Sequence, residues 1–166
     1  MAKTPELEHP SEANAKAAGQ TFRLLFLDNA ENNEQLKLAC SDEGYTVVSA
    51  LTMKDAWAFL DAKDHVDVIV CAAHLEDESV FDFLKAVRAH PIHRDTMFLV
   101  LSLEPGASGA RMDRSTARSA MALGANGYVI MPTFDARALL DQIRPLLPSV
   151  PMLQQSATVA EKQAAE

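Results

Sequence analysis

The sequence predicts an α/β domain in which a five-stranded parallel sheet carries helices on both faces. Three observations support this. Five short apolar runs recur between residues 21 and 147, and three of them are nearly continuous, as strands buried on both faces require. The stretches that separate and follow them repeat their apolar residues at helical spacing. Gly44, Pro91 and Gly124 stand where three of those helices should stop. Strands that alternate with helices in this way pair in parallel through crossovers, which places helices on either side of the sheet.

Taken in order, Phe22–Leu27 (FRLLFL) is the first strand, and Asn32–Glu43 is a helix with Leu36, Ala39 and Cys40 on one face. Tyr45–Ala50 (YTVVSA) is the second strand. Thr52–Asp61 opens on Thr-Met-Lys-Asp, a capping-box-like start, and turns Ala56, Phe59 and Leu60 inward. Val66–Ala72 (VDVIVCA) is the third strand, and Val80–His90 presents Phe83, Leu84 and Val87 before Pro91. Met97–Leu101 (MFLVL) is the fourth strand. A long, flexible loop, LEPGASGARMD, is expected before a helix over Arg111–Leu123. Asn126-Gly127 reads as a turn, Gly127–Ile130 as the fifth strand and Asp135–Leu147 as the last helix.

Composition excludes several classes. Two cysteines, both inside apolar-periodic stretches, form neither a disulfide framework nor a cysteine-rich zinc module. No apolar run reaches the roughly 18 residues of a membrane span, and residues 1–20 lack the apolar core of a secretory signal. A cytoplasmic location without membrane contact is expected. The formal charge of −8 argues against a nucleic-acid partner, whose binding begins with neutralising phosphates. Residues 1–20 and 148–166 each carry a net charge of −1, leaving −6 to residues 21–147. Rich in Ala, Ser, Gln and Pro, both ends are expected to be mobile tails around a single domain over 21–147, with no second domain after it. Ala157–Glu166 is expected to become helical only if something covers it.

In an open parallel sheet, ligands and reactive residues gather beyond the carboxyl ends of the strands. Those positions are Asp28 and Asn29, Ala72 to His74, Ser102 and Leu103, and Met131-Pro132. Around them the chain resembles the receiver domains of two-component response regulators, over about residues 22–147. The matching segments are LLFLDNAENNEQLKLACSDEGYTV, ALTMKDAWAFL, FDFLKAVRAHPIHRDTMFLVLS and ALGANGYVIMP, in the family's order and spacing. The resemblance implies a flavodoxin-like (βα)5 sandwich with strand order 2-1-3-4-5.

It also implies a chemistry, phosphoryl transfer to an aspartate within a phosphorelay. That chemistry uses an acidic pair after the first strand and an acceptor Asp after the third, which together hold Mg²⁺. A Ser or Thr after the fourth strand and a Lys after the fifth bind the phosphoryl oxygens. Here the acidic pair is Asp28 and Asn29, the acceptor position is Ala72, the hydroxyl is Ser102 and the lysine position is Met131. Tyr128 takes the place of the fifth-strand aromatic that reports the switch. A methyl group accepts no phosphoryl group, and the next acids, Glu76, Asp77 and Glu78, lie in the following loop. The expectation is a degenerate pseudo-receiver: no enzyme, no cofactor, no metal, and Asp28 a solvated or capped remnant rather than a weak cation ligand with Glu76. The resemblance further implies a cis peptide before Pro132.

Of the other reactive side chains, Cys71 alternates to the face opposite Ala72 and is expected in the core. His65, His74, His90 and His93 show no metal-ligand spacing. Arg111, Arg114 and Arg118 form a stripe along the fourth helix. In receivers the fourth helix, fifth strand and fifth helix dock onto partners or a second copy, so the stripe is expected either to be an ordinary solvated face or to meet an acidic protein partner. A homodimer would offer it Asp135 and Asp141 of the other copy's fifth helix. The function expected is stand-alone, phosphorylation-independent signalling through protein–protein contact. Two alternatives stand beside it. One is a small-molecule sensor whose less charged pocket is lined by Asn29, Ala72, Ser102 and Met131. The other is a flavodoxin-like electron carrier, disfavoured by the acidic turn Asp28-Asn29-Ala30-Glu31.

Overall fold

Leu24, Leu25, Phe26 and Leu27 are each completely buried, which requires a strand covered on both faces. They belong to β1 (Arg23–Leu27), at the centre of the computed structural model, which describes residues 21–62, 65–75, 77–103 and 107–149, with the side chains of 107–113 outside that description. The other strands are β2 (Thr46–Ala50), β3 (Val68–Ala72), β4 (Met97–Ser102) and β5 (Gly127–Ile130). They form one parallel sheet in the order β2-β1-β3-β4-β5. Register brings Leu27 beside Ala50 and Cys71, Ala72 beside Leu101, and Ser102 beside Ile130. The strand ends anticipated as a site therefore lie along one edge of the sheet. This is the flavodoxin-like order that the sequence resemblance implied.

Four of the helices begin where a side chain satisfies their first amides. Asn29 caps α1 (Ala30–Glu43), Thr52 caps α2 (Met53–Leu60), Ser79 caps α3 (Val80–Ala89) and Asp135 caps α5 (Ala136–Ile143). Gly44 closes α1 in the left-handed region, φ 78°, where other residues pay a steric penalty. Alternate strand residues face two separate cores. Leu25, Leu27, Ile69, Cys71, Phe98 and Val100 pack with Ala56 and Leu60 of α2 and Phe83 and Val87 of α3. Leu24, Phe26, Val68, Val70, Leu99 and Leu101 pack with Leu36 and Cys40 of α1 and Leu139, Leu140 and Ile143 of α5. No helix among the described residues is long and apolar enough to cross a membrane.

Four local features differ from expectation. Helix α4 (Ala107–Ala122) begins four residues before Arg111, so most of the segment expected as a flexible loop is helical. Ala107 and Ala110 favour the helix enough to carry Gly109 within it. Helix α5 stops at Ile143 and tightens into a 3₁₀ turn, Arg144–Leu146, because Pro145 has no N–H to continue the α-helical ladder. A short antiparallel ladder pairs His74–Leu75 with Glu78–Ser79 in what the sequence presents as a loop. The Met131–Pro132 peptide is trans: nothing opposes the ordinary trans preference, and the Met131 N–H still pairs with the Ser102 carbonyl at 2.9 Å.

The end of the sheet opposite the strand exits is tied by polar groups. Arg88 donates to the Gly124 carbonyl through Nε (3.0 Å) and Nη2 (2.8 Å), and through Nη1 to the Arg94 (2.9 Å) and Thr96 (2.7 Å) carbonyls. Asn126 Oδ1 accepts from Arg88 Nη2 and from the Phe98 N–H, so Asn126, at a bend just before β5 rather than in the expected turn, ties α3 and β4 to the start of that strand. A Cβ at Gly127 would lie 2.7 Å from Leu99 Cδ1. Beside this junction, buried His93 donates from Nε2 to the Leu60 carbonyl at 2.9 Å. Its ring lies 4.7 Å from that of His90, which stacks on Trp57 and stands 3.8 Å from Asp61.

Burial, together with the charges that His90 and His65 can carry, holds His93 below the ordinary imidazole pKa, against the opposing pull of the Leu60 carbonyl and Asp61. The folded state therefore favours neutral His93. Its contribution to stability is complete above the unfolded pKa of about 6.5 and is lost as pH falls below it toward the folded value. Urea unfolding at pH 7 and pH 5 should show a larger drop for the native chain than for His93→Gln, which keeps a donor and cannot titrate. Equal drops would remove His93 as the cause.

Candidate functional site

The chain leaves β1 at Asp28, whose N–H still pairs with the Ala50 carbonyl at 3.2 Å. The Asp28 side chain is nearly buried, and both of its oxygens are engaged. Oδ1 accepts from the Asn29 N–H at 2.7 Å and Oδ2 from Asn32 Nδ2 at 3.1 Å. Asp28 is thus a capped carboxylate, one of the two states anticipated. Asn29 is exposed, and its side chain accepts from the Asn32 N–H at 2.8 Å. That bond commits Asn29 to starting α1 and turns it away from the role of pocket wall.

Ala72 closes β3 with 6 % of its surface exposed, a methyl group at the position where the sequence resemblance implied an acceptor. The next N–H, that of Ala73, bonds to the Leu101 carbonyl at 2.7 Å. Ser102 closes β4 and is fully buried. Met131 follows β5, nearly buried, and packs in the core beneath α1 and α5 with Leu101 and Leu139. Its Sδ lies 3.5 Å from the Asp135 N–H at the start of α5. The fold brings Asp28, Ala72, Ser102 and Met131 to neighbouring strand exits, but Met131 serves the core and Asn29 the helix.

The acids after β3 are directed elsewhere. Both carboxylate oxygens of Glu78 lie 3.1 Å from the Met53 N–H and accept from it, at the start of α2. Asp77 holds a positive φ of 57° in the turn of the short ladder, and Glu76 lies outside the described residues. Among the described residues, no three His, Cys, Asp or Glu side chains group closely enough to hold a metal ion. Cys71 is buried on the opposite face, where desolvation, then Asp28 and Glu78, push its thiol pKa well up; Cys40, buried under α1, is raised to about 12. Neither thiol is placed for reaction at neutral pH.

Two residues that the sequence reading passed over organise this end of the sheet. Asn32 holds Asp28, and Asn33 donates from Nδ2 to the carbonyls of Asp28 (3.0 Å), Asn29 (3.2 Å) and Ala50 (3.4 Å). Both are buried, and Asn33 Oδ1 has no hydrogen-bond partner among the described residues. A signal was present: Asn32 and Asn33 fall in register with Leu36 and Cys40 on the inward stripe of α1, where apolar residues are the rule.

Tyr128 is half-buried against the core shared with α2 and α3. Arg114 and Arg118 are exposed on α4, while the Arg111 side chain lies outside the described residues. The acids expected to meet them in a homodimer are already engaged. Asp135 Oδ1 accepts from the Arg137 and Ala138 N–H groups, and Asp141 pairs with Arg144 of the 3₁₀ turn that follows.

No family model matches the chain, and no curated protein matches it. Solved structures do. The chemotaxis response regulator CheY4 of Vibrio cholerae is 25% identical with a TM-score of 0.64, over 76% of this chain and 99% of that one. A response regulator from Thermotoga maritima is 21% identical with a TM-score of 0.62, over 76% and 97%. The beryllofluoride-activated NtrC4 receiver domain, a dimer, is 20% identical with a TM-score of 0.62, over 75% and 95%. The fold is that of response-regulator receiver domains.

The contacts of Asn33 generate a test. Asn33→Ala should lower stability in urea unfolding by about 1–3 kcal/mol, since three buried carbonyls lose a shared donor. Asn33→Asp should cost more at pH 7, because a carboxylate would face those same carbonyl oxygens, and the gap should narrow near pH 4 as the acid gains a proton to donate. Asp tolerated as well as Ala at pH 7 would contradict this arrangement.

Proposed function

We propose that this chain is a receiver-type signalling module that works by protein–protein contact and takes no phosphoryl group. The observation that carries the reading is Ala72 at the end of β3. A group transfer to this position has no oxygen to receive it, and Asp28 and Glu78 are held by other partners. Asp28 already satisfies both of its oxygens internally. An incoming divalent cation would have to break those bonds with a single carboxylate as its reward, and hard cations favour several charged oxygen ligands.

Receivers ordinarily change state when a phosphate adds charge-assisted hydrogen bonds. With that input absent, any change of state must come from a partner that binds two conformations unequally. The exposed face of α4 suits such contact. Arg114, Arg118 and Met121 follow one another at i, i+4 and i+7, and Met121 and Ile130, at the end of β5, are both about half exposed. Two cations and an exposed apolar side chain along one helix fit an acidic partner surface with an apolar centre. The small-molecule reading is weakened because Asn29 and Met131, two of its four wall residues, are committed to the helix start and the core. The electron-carrier reading is weakened because Asn29 and Glu31 occupy the first turn of α1, where a cofactor phosphate would sit.

Incubation with acetyl phosphate and Mg²⁺ should leave the intact mass unchanged; a gain of one phosphoryl group would overturn the proposal. The double variant Arg114→Glu/Arg118→Glu should lose about tenfold or more in recovery of the proteins captured from host extract by the native chain, at unchanged thermal stability. Recovery equal to that of the native chain would remove α4 as the contact face.

A further inference from the structure

An apolar groove of about 410 Å³ lies at the amino ends of the strands, on the side of the sheet away from Asp28 and Ala72. Its walls come from three separate segments. Val66 contributes from the approach to β3, Ile92 and Met97 from the connection between α3 and β4, and Leu146, Leu147 and Pro148 from the 3₁₀ turn and its exit. Ile92 remains 37% exposed, although it is among the larger apolar side chains of the molecule. The polar groups at the rim are accounted for: Asp67 accepts from the Arg23 N–H at 2.8 Å, and Asp95 faces Arg94 at 3.6 Å.

We propose that this groove is a docking site for the chain's own segment Val150–Leu153. Pro148 is itself a wall of the groove, and only Ser149 separates it from Val-Pro-Met-Leu, the most apolar stretch that remains in the chain. Four residues reach at most about 14 Å when extended, so the segment starts at the groove and needs no long loop. A tether this short gives an effective concentration in the millimolar range, and a contact too weak to hold a free peptide then suffices. After Leu153 the sequence turns polar, QQSATVAEKQAAE, so the apolar part ends where a groove of this size would be filled. The other candidate in the chain, residues 1–20, offers only Met1 and Leu7 as large apolar side chains. The function of this site is independent of the phosphorylation question: it joins the end of the chain to the face of the domain that the strand-exit site does not use.

The test uses the full chain with its methyl groups labelled. Nuclear Overhauser contacts are expected between Ile92 or Met97 and the methyls of Met152 or Leu153. Met152→Asp/Leu153→Asp should abolish them and shift the Ile92 signal. A free peptide spanning residues 149–157 should then bind the double variant at least tenfold more tightly than the native chain, whose groove is already filled. Absence of the contacts, or equal peptide binding by both proteins, would overturn the proposal. Contacts that pass between differently labelled molecules and vanish on dilution would overturn it too, by assigning the groove to a second copy.

Discussion

A strand buried on both faces has no side to give to water, and β1 is such a strand from Leu24 to Leu27. Its neighbours β2 and β3 must then pair along both of its edges, and helices must cover both of its faces, because its side chains from Leu24 to Leu27 are all apolar. The burial also decides what happens at its end. Asp28 is the first polar side chain after four buried apolar ones, and it emerges where α1 begins and the β2 chain passes. Its carboxylate is still largely out of solvent, so its charge has to be met by donors close at hand.

The start of α1 supplies them. Asn29, Asn32 and Asn33 form a connected set: Asn29 opens the helix, Asn32 holds the carboxylate, and Asn33 gathers three carbonyls from β1, β2 and the helix itself. Both oxygens of Asp28 are thereby met from within the chain. On the proposed reading this makes the strand-exit region part of the scaffold and leaves α4 and the groove beside the 3₁₀ turn as the surfaces for contact.

Much of this was legible in the sequence, and the limits have physical causes. Short apolar runs, three of them nearly continuous, identified every strand of the main sheet, since β-branched and aliphatic residues in such runs leave few other placements. Gly44 and Thr52 marked helix ends because their chemistry fits only there. The α4 start was misplaced because Gly109 argues locally against a helix that its longer context sustains. Arg88 gave no sign of its role: its partners are carbonyls 6, 8 and 36 residues away, and backbone acceptors have no identity in a sequence. The short ladder around Asp77 is invisible for a related reason, as two-residue strands carry no periodicity. Ala72 was readable because a methyl group's chemistry does not depend on its surroundings. The commitment of Asn29 to capping was not, because an Asn after a strand serves a pocket or a helix equally well until the helix start is placed.

On the reading proposed above, the residues at 29, 72 and 131, which depart from the receiver pattern that the sequence resembles, are physically linked. Three carboxylates at one strand-exit cluster repel one another unless a cation stands among them, and a buried ammonium costs several kcal/mol unless anions surround it. Once position 72 carries a methyl group, the repulsion that a divalent cation relieved is reduced, and with it the gain from holding one. With Asn at 29, a single carboxylate remains, and Asn32 together with the Asn29 N–H is enough to satisfy it. A lysine at 131 would then have one anion to meet, already doubly bonded, against the cost of leaving water. A thioether at that position loses nothing by turning into the core between β4 and α5, and Met131 does so. On that reading, an acceptor position without its carboxylate leaves the other charged groups without an electrostatic reason.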